Sequence, residues 1–209
     1  MITVIGNLKG GAGKSTVTFN LGIGLMMTGN TVVAYDLDPQ MTLHDVASVR
    51  AEESYAPQLP VHLPDELLEQ NLQSHVGEVL VDVGSANIAG MKIALSLADR
   101  VLVPVPPSQA DVWSTQRFMK IIRESRSGEL PEILVFVNRA DTHHAVRESD
   151  EAAEALKTLP GAQFLSQRLG QRTAFRRSFS EGLAVYELEP RGKAAMEMLS
   201  LASALYGKK

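Results

Sequence analysis

Cysteine is absent from the 209 residues. That excludes a disulfide framework, a thiolate metal site and a cysteine nucleophile, and it fits a reducing, cytoplasmic setting. Long apolar runs are missing as well: no stretch reaches the roughly 18 residues that a membrane-spanning helix needs. The opening "MITVIGNLKG" has neither a basic leader nor an apolar run ahead of its glycines, so no signal peptide is expected. A surplus of one charge is also lacking, since 20 Lys and Arg face 24 Asp and Glu for a net charge of −4. The molecule as a whole therefore does not attract nucleic acid, and any such contact has to come from a local patch. Internal repeats and low-complexity tracts do not occur. What remains, 44% hydrophobic and 21% charged, suffices for a single domain over 1–209 with a well-buried core.

Short β-rich apolar runs alternate with longer helical patterns. This predicts an α/β fold, a doubly wound, mostly parallel sheet flanked by helices. Strands are expected at 2–6, 31–36, 78–83, 100–105 and 132–138, with a less regular run at 162–166. An edge strand is expected at 61–63, inside the proline-bounded stretch "EESYAPQLPVHLP". Val, Ile and Leu follow one another in these runs with little alternation, as in strands buried on two faces. Helical patterns cover 14–29, 87–98, 108–125 and 190–207, with Ser108 or Asp111 as the cap of the third. A further helix from near Thr173 would turn Phe175 and Phe179 inward. Trp113 and the methionines are expected in the core or at a partner interface. His143 and His144 are adjacent, which makes a poor chelate, and are expected in a surface loop.

The stretch "NLKGGAGKST", Asn7 to Thr16, joins the first strand to the first helix. The usual phosphate-loop pattern G-x-x-x-x-G-K-[ST] would place its first glycine where this chain has Leu8. From Gly13 onward the pattern is met by Lys14 and Ser15. Gly10, Gly11, Ala12 and Gly13 allow successive backbone N–H groups to turn inward around phosphate oxygens, and the helix N-terminus adds its positive end. Lys14 would neutralise the β- and γ-phosphates, Ser15 would ligate Mg²⁺, and Thr16 would lie near the α-phosphate. Lys9 is a second lysine in the same loop; taken alone it would be an ordinary solvated side chain.

The run K-G-G-A-G-K-S resembles the deviant Walker A loop of the ParA/MinD family, of which the early lysine is the signature. The resemblance implies that Lys9 reaches the nucleotide of a second copy, so that two ATP-bound copies close face to face. It extends to "YDLDPQMTL", which implies that Asp38 positions the attacking water near Mg²⁺ and that Asp36 supports the magnesium shell. "VLVDVGSA" supplies a Walker B aspartate, Asp82, with Gly84 in a turn that senses the γ-phosphate. "VPVPPSQAD" matches the family's proline-rich turn, and Asn138 of "VNRAD" matches its adenine-contacting asparagine. Asn138-Arg139-Ala140-Asp141 also resembles the N-K-x-D of GTPases, whose aspartate selects guanine, with arginine in place of the lysine. The similarity spans nearly the whole chain and is greatest to short ParA-type partition ATPases, which lack an amino-terminal helix-turn-helix domain.

Arg168, Arg172, Arg176 and Arg177 lie within "SQRLGQRTAFRRSFS", which holds no acidic residue. The family resemblance implies that arginines here bind DNA without sequence preference in the ATP dimer; the alternative is a solvated face paired with Glu181 or Glu187. The implied activity is slow ATP hydrolysis with Mg²⁺. A small centromere-binding or cargo-adaptor protein would stimulate it, and the protein would be cytoplasmic and nucleoid-associated. Plasmid or chromosome partition comes first. Positioning of a protein cargo such as a carboxysome or chemoreceptor cluster, a MinD-like membrane ATPase, a metabolic P-loop ligase and a nucleotide-switched binding module remain alternatives. The tail "MEMLSLASALYGKK" carries cations only at Lys208 and Lys209, so it reads as a helix packed on the sheet and no membrane contact is expected.

Overall fold

The computed structural model describes residues 1–66, 69–143 and 147–207. His144, Lys208 and Lys209 lie outside those described residues. In chain order the elements are β1 (Ile2–Gly6), α1 (Lys14–Met27), β2 (Val32–Asp36), α2 (Thr42–Glu52) and β3 (Val61–His62). A 3₁₀ turn at Pro64–Glu66 follows, then α3 (Glu69–Ser74), β4 (Glu78–Val83), α4 (Ile88–Leu97), β5 (Arg100–Val105) and α5 (Gln109–Glu124). The chain continues through β6 (Glu132–Ala140), α6 (Glu148–Lys157), β7 (Gln163–Phe164), β8 (Leu169–Gly170), α7 (Thr173–Ser180), α8 (Val185–Leu188) and α9 (Lys193–Tyr206).

The strand order is β3-β2-β4-β1-β5-β6-β7, with β8 pairing to β6, and every pairing is parallel. Each strand alternates between two apolar layers. Val79, Val81 and Val83 share a cluster with α4, α5 and α6, while Leu80 faces the cluster built from α1, α2 and α9. Val101, Val103 and Val105 divide from Leu102 in the same way, so a continuous apolar strand sequence is what this two-sided packing requires. Ser108 caps α5 by accepting from the Asp111 amide at 3.2 Å, and Asn87 caps α4 by accepting from Gly90 N at 2.9 Å.

Expected and observed strands agree within a residue or two over the central sheet. The 162–166 run pairs only as the two-residue edge strand β7. Met91, Met119 and Met198 are core, whereas Trp113 is 52% exposed and belongs to no core cluster. His143 is exposed in a loop, as expected. No helix among the described residues is long and apolar enough to cross a membrane. The tail helix α9 buries Ala194, Ala195, Met198, Leu201 and Leu205 against the sheet.

The topology turns around at β1. From β1 the chain crosses to β2, leaving a place that β4 fills, and after β4 it continues outward on the other side through β5 and β6. Loops at the carboxyl ends of these strands diverge there and leave a crevice, the place where open α/β sheets bind ligands.

Candidate nucleotide-binding site

Three strands bring the acidic residues to that crevice. Ile5 pairs with Asp82, and Asp82 pairs with Asp36, so two buried carboxylates stand side by side near the end of β1, from which the glycine loop leaves. The loop itself needs glycine. Gly11 and Gly13 have φ of 76° and 82°, and a Cβ at Gly13 would stand 2.5 Å from Asn138 Nδ2. Helix α1 starts at Lys14 with no side-chain cap and no acidic residue in its first turn, which leaves its amides and positive end to an anion.

Two residues from the end of β6 fasten the loop. Asn138 Nδ2 donates to the Ala12 carbonyl at 2.7 Å, and Arg139 Nη1 donates to the Gly11 carbonyl. Both bonds fix the peptides of the loop in place. Arg139 has φ 56°, a left-handed conformation uncommon for a long side chain, and its Nε also reaches Gln171 Oε1 at 2.7 Å.

The cleft has a volume of about 530 Å³, well within the range of small-ligand sites. Gly10, Gly11, Gly13, Lys14, Ser15, Thr16, Asp38 and Asn138 line one side of it, and Leu169, Arg172, Phe175 and Arg176 the other. Lys14 is buried, and its Nζ lies 3.5 Å from the Lys9 carbonyl, a long contact that a phosphate oxygen would replace. Asp38 lies directly over Gly84, where any side chain would collide with its carboxylate. The loops after β2 and β4 therefore meet at the site.

Asp82 tests whether Mg²⁺ fits. Burial pushes its carboxyl up to about 7, with the Ser15 hydroxyl and Lys14 acting in the opposite direction. Neither of its oxygens completes a hydrogen bond. An orphaned carboxylate beside a serine hydroxyl and Asp38 is the donor set a hard divalent cation takes. No three-carboxylate cage occurs among the described residues, which suits Mg²⁺, since that ion takes much of its shell from phosphate and water.

Asp36 acts on the backbone of the loop that carries Asp38. Its oxygens accept from the backbone amides of Asp38, Leu43 and His44 at 3.1, 2.9 and 3.0 Å. It fixes the Asp38 loop and the start of α2. Burial raises its pKa and the three amides oppose that rise.

Comparison with known proteins matches this geometry. A family model described as CobQ/CobB/MinD/ParA nucleotide binding domain covers residues 3–185. The chain belongs to this family. Its members are P-loop ATPases with nucleotide-binding sites of this form. The chain is 30% identical over 204 residues to "Maintenance of carboxysome distribution protein A" of Halothiobacillus neapolitanus, covering 94% of this chain and 91% of that one. It is 25% identical to "Protein ParA" of Rhizobium radiobacter, over 91% of this chain and 87% of that protein. Among solved structures, the ATP complex of a McdA variant from Cyanothece superposes with a TM-score of 0.76 at 19% identity. That superposition covers 99% of this chain and 96% of the other.

In this family member the remaining residues fall into place as follows. Lys9 does not line its own cleft: it is 45% exposed, with Nζ 3.0 Å from Asp111 Oδ2. Asp141 does not line the cleft either. It accepts from Ser149 Oγ at 3.0 Å, so the guanine-selecting geometry of N-K-x-D is not assembled. Asn138 Oδ1, by contrast, has no partner among the described residues once Nδ2 is committed to Ala12, and offers an acceptor to the cleft.

The four arginines diverge. Arg168 pairs with Asp150 at 2.6 Å, Arg172 pairs with Glu197 through both nitrogens, and Arg177 lies 3.6 Å from Glu189. Arg176 is exposed at the lip of the cleft, without a carboxylate partner among the described residues. Neither Glu181 nor Glu187 is the counterion; Glu187 pairs instead with the buried Arg50. Phe179 does pack inward, edge-on to Phe19 at 5.8 Å. Sequence reasoning missed the Arg139 strap and the Lys9–Asp111 pair. The only signal for either was the presence of a charged residue beside a motif already recognised.

Proposed function

We propose that this single-domain chain is a Mg²⁺-dependent ATPase of the ParA type, closing as an ATP-bound homodimer on DNA without sequence preference and positioning a cargo through an adaptor protein. The observation that carries this reading is the separation of the two lysines. Lys14 is buried in its own cleft, while Lys9 stands outside it with its ammonium at the surface. A cation in that place lies outside its own cleft and, once released from Asp111, can serve a second copy.

The loop amides and Lys14 hold the triphosphate. Ser15, Asp82 and Asp38 would hold Mg²⁺, which would supply positive charge to offset that of the phosphates. Asp38 orients water and accepts its proton as the γ-phosphoryl group leaves for it, and ADP departs. The second copy's Lys9 stabilises the charge on the transferring group, as an arginine finger does in trans. Turnover is slow because the site is complete only across two copies. Arg176, with Arg168, Arg172 and Arg177 once freed from their acids, supplies phosphate contacts for DNA, and dimerisation doubles them. Such a protein would be cytoplasmic and nucleoid-associated.

Partition of a plasmid or chromosome is one form of this function. A protein cargo is the second, favoured by the relative named for carboxysome distribution. The test is ATP turnover measured alone, with DNA, and with DNA plus the adaptor. Stimulation that needs both, and that Asp38→Ala lowers by about 100-fold or more while ATP still binds, supports the reading. Turnover that instead needs a small-molecule co-substrate would replace it with a metabolic ligase. Tracking a labelled plasmid beside a labelled protein cluster in cells lacking the gene separates the two cargoes.

A further inference from the structure

Asp111 is almost fully buried, yet nothing in ATP binding uses it. Its side chain is 4% exposed, its Oδ1 has no hydrogen-bond partner, and its Oδ2 receives both the Lys9 ammonium at 3.0 Å and the Ser108 hydroxyl. The segment carrying Lys9 is seated on the same corner. Asn7 Nδ2 donates to the Pro104 carbonyl at 3.0 Å, Ser114 Oγ reaches Asn7 Oδ1 at 3.4 Å, and Asn7 Oδ1 accepts the Lys9 amide at 3.2 Å. The proline-rich turn between β5 and α5 thus forms a dock for the second lysine.

We infer that Asp111 is a positioning residue for Lys9: it holds the lysine in cis in the resting protein, and the triphosphate of a second copy has to displace it. This rests on the reading of Lys9 given above. The physical basis is the poor alternative left to Asp111. When Lys9 swings across, Oδ2 keeps only Ser108, Oδ1 is unpartnered as before, and a buried carboxylate is left with no counter-charge. Closure therefore requires a strong anion on the other side. A diphosphate lacks the group that Lys9 would meet, so the pair keeps ADP-bound copies apart and sets the ATP concentration at which dimers form.

The test is sedimentation velocity of the full chain across an ATP–Mg²⁺ titration in an Asp38→Ala background, which holds the nucleotide unhydrolysed. Asp111→Asn keeps the shape of the side chain and its bond to Ser108 but removes the charge. It should lower the ATP concentration at half-dimerisation by about fivefold or more and permit some dimer with ADP. ADP affinity of the single copy, read by fluorescence, should stay unchanged. Ser108→Ala leaves Lys9 as the sole partner of Asp111 and should raise the ATP concentration needed, the opposite direction to Asp111→Asn, which separates loss of the charge from damage to this corner. An Asp111→Asn protein that folds but needs as much ATP as its parent, or more, overturns the inference. If Lys9→Ala dimerises like its parent, it is the wider reading of Lys9 that fails, and Asp111 with it.

Discussion

A buried carboxylate with no hydrogen-bond partner destabilises the chain that carries it, and Asp82 is such a group. Its pKa rises from 3.8 to about 7 in the folded chain. The folded form thus binds this proton more tightly than the unfolded form does. The stability it lends is fully present below about pH 4 and is lost as pH rises through the folded value near 7. Three units correspond to roughly 4 kcal/mol. Urea midpoints of the nucleotide-free protein should therefore fall between pH 5 and 8 by comparison with Asp82→Asn, and Mg²⁺ with ADP should flatten the difference; parallel pH profiles would contradict it. The proposed role of Asn138 depends on orientation: with its amide nitrogen bonded to Ala12, its oxygen offers the cleft an acceptor, which suits the adenine amino group better than the guanine carbonyl. Asn138→Ala should weaken ATP about tenfold and narrow the preference over GTP in a competition assay.

Helix α2 shows how the elements are tied together. Asp36 holds its first turn, while Arg50 near its end is fully buried and donates to the carbonyls of Pro57 and Gly182 and to both oxygens of Glu187. The helix after the Asp38 loop is thereby clasped to the end of α7 and to α8. Arg50→Ala removes the counter-charge of Glu187, which keeps only the Ala184 amide, and the donors to two carbonyls, and should lower unfolding stability by about 3–5 kcal/mol in urea titration. A loss below about 1 kcal/mol would show that the clasp is solvated. This element was not legible in the sequence, and the reason is the same clasp: a buried arginine breaks the apolar period that marks an amphipathic helix. Helix α6 was hidden for another reason, since it buries Ala152, Ala153 and a single Leu156. The strands were legible because burial on both faces leaves them few residue types to use. The phosphate loop was legible because its turn, its lysine and its hydroxyl occupy consecutive positions. Asp111 was not, because its contact with Lys9 spans about a hundred residues and depends on the β5–α5 corner.

For the molecule as a whole, charge decides how DNA can be held. The net charge is −4, and Arg168, Arg172 and Arg177 already have acidic neighbours. A single copy should bind DNA weakly, and an ATP dimer should bind it with steep salt dependence. Arg176→Ala with Arg177→Ala should weaken binding evenly across sequences and reduce the salt slope by about 0.9 for each phosphate that is no longer neutralised. Fluorescence anisotropy over a KCl series measures both, and an unchanged slope would move the DNA face elsewhere. The roles proposed for the cleft, the outward lysine and the paired arginines all rest on two copies sharing one chemistry. A crystal structure with a non-hydrolysable ATP analogue and Mg²⁺ examines that directly. Two copies facing each other, with each Lys9 ammonium on the other's phosphates and away from Asp111, is the expected result. A lone copy with the analogue bound and Lys9 still on Asp111 would contradict it.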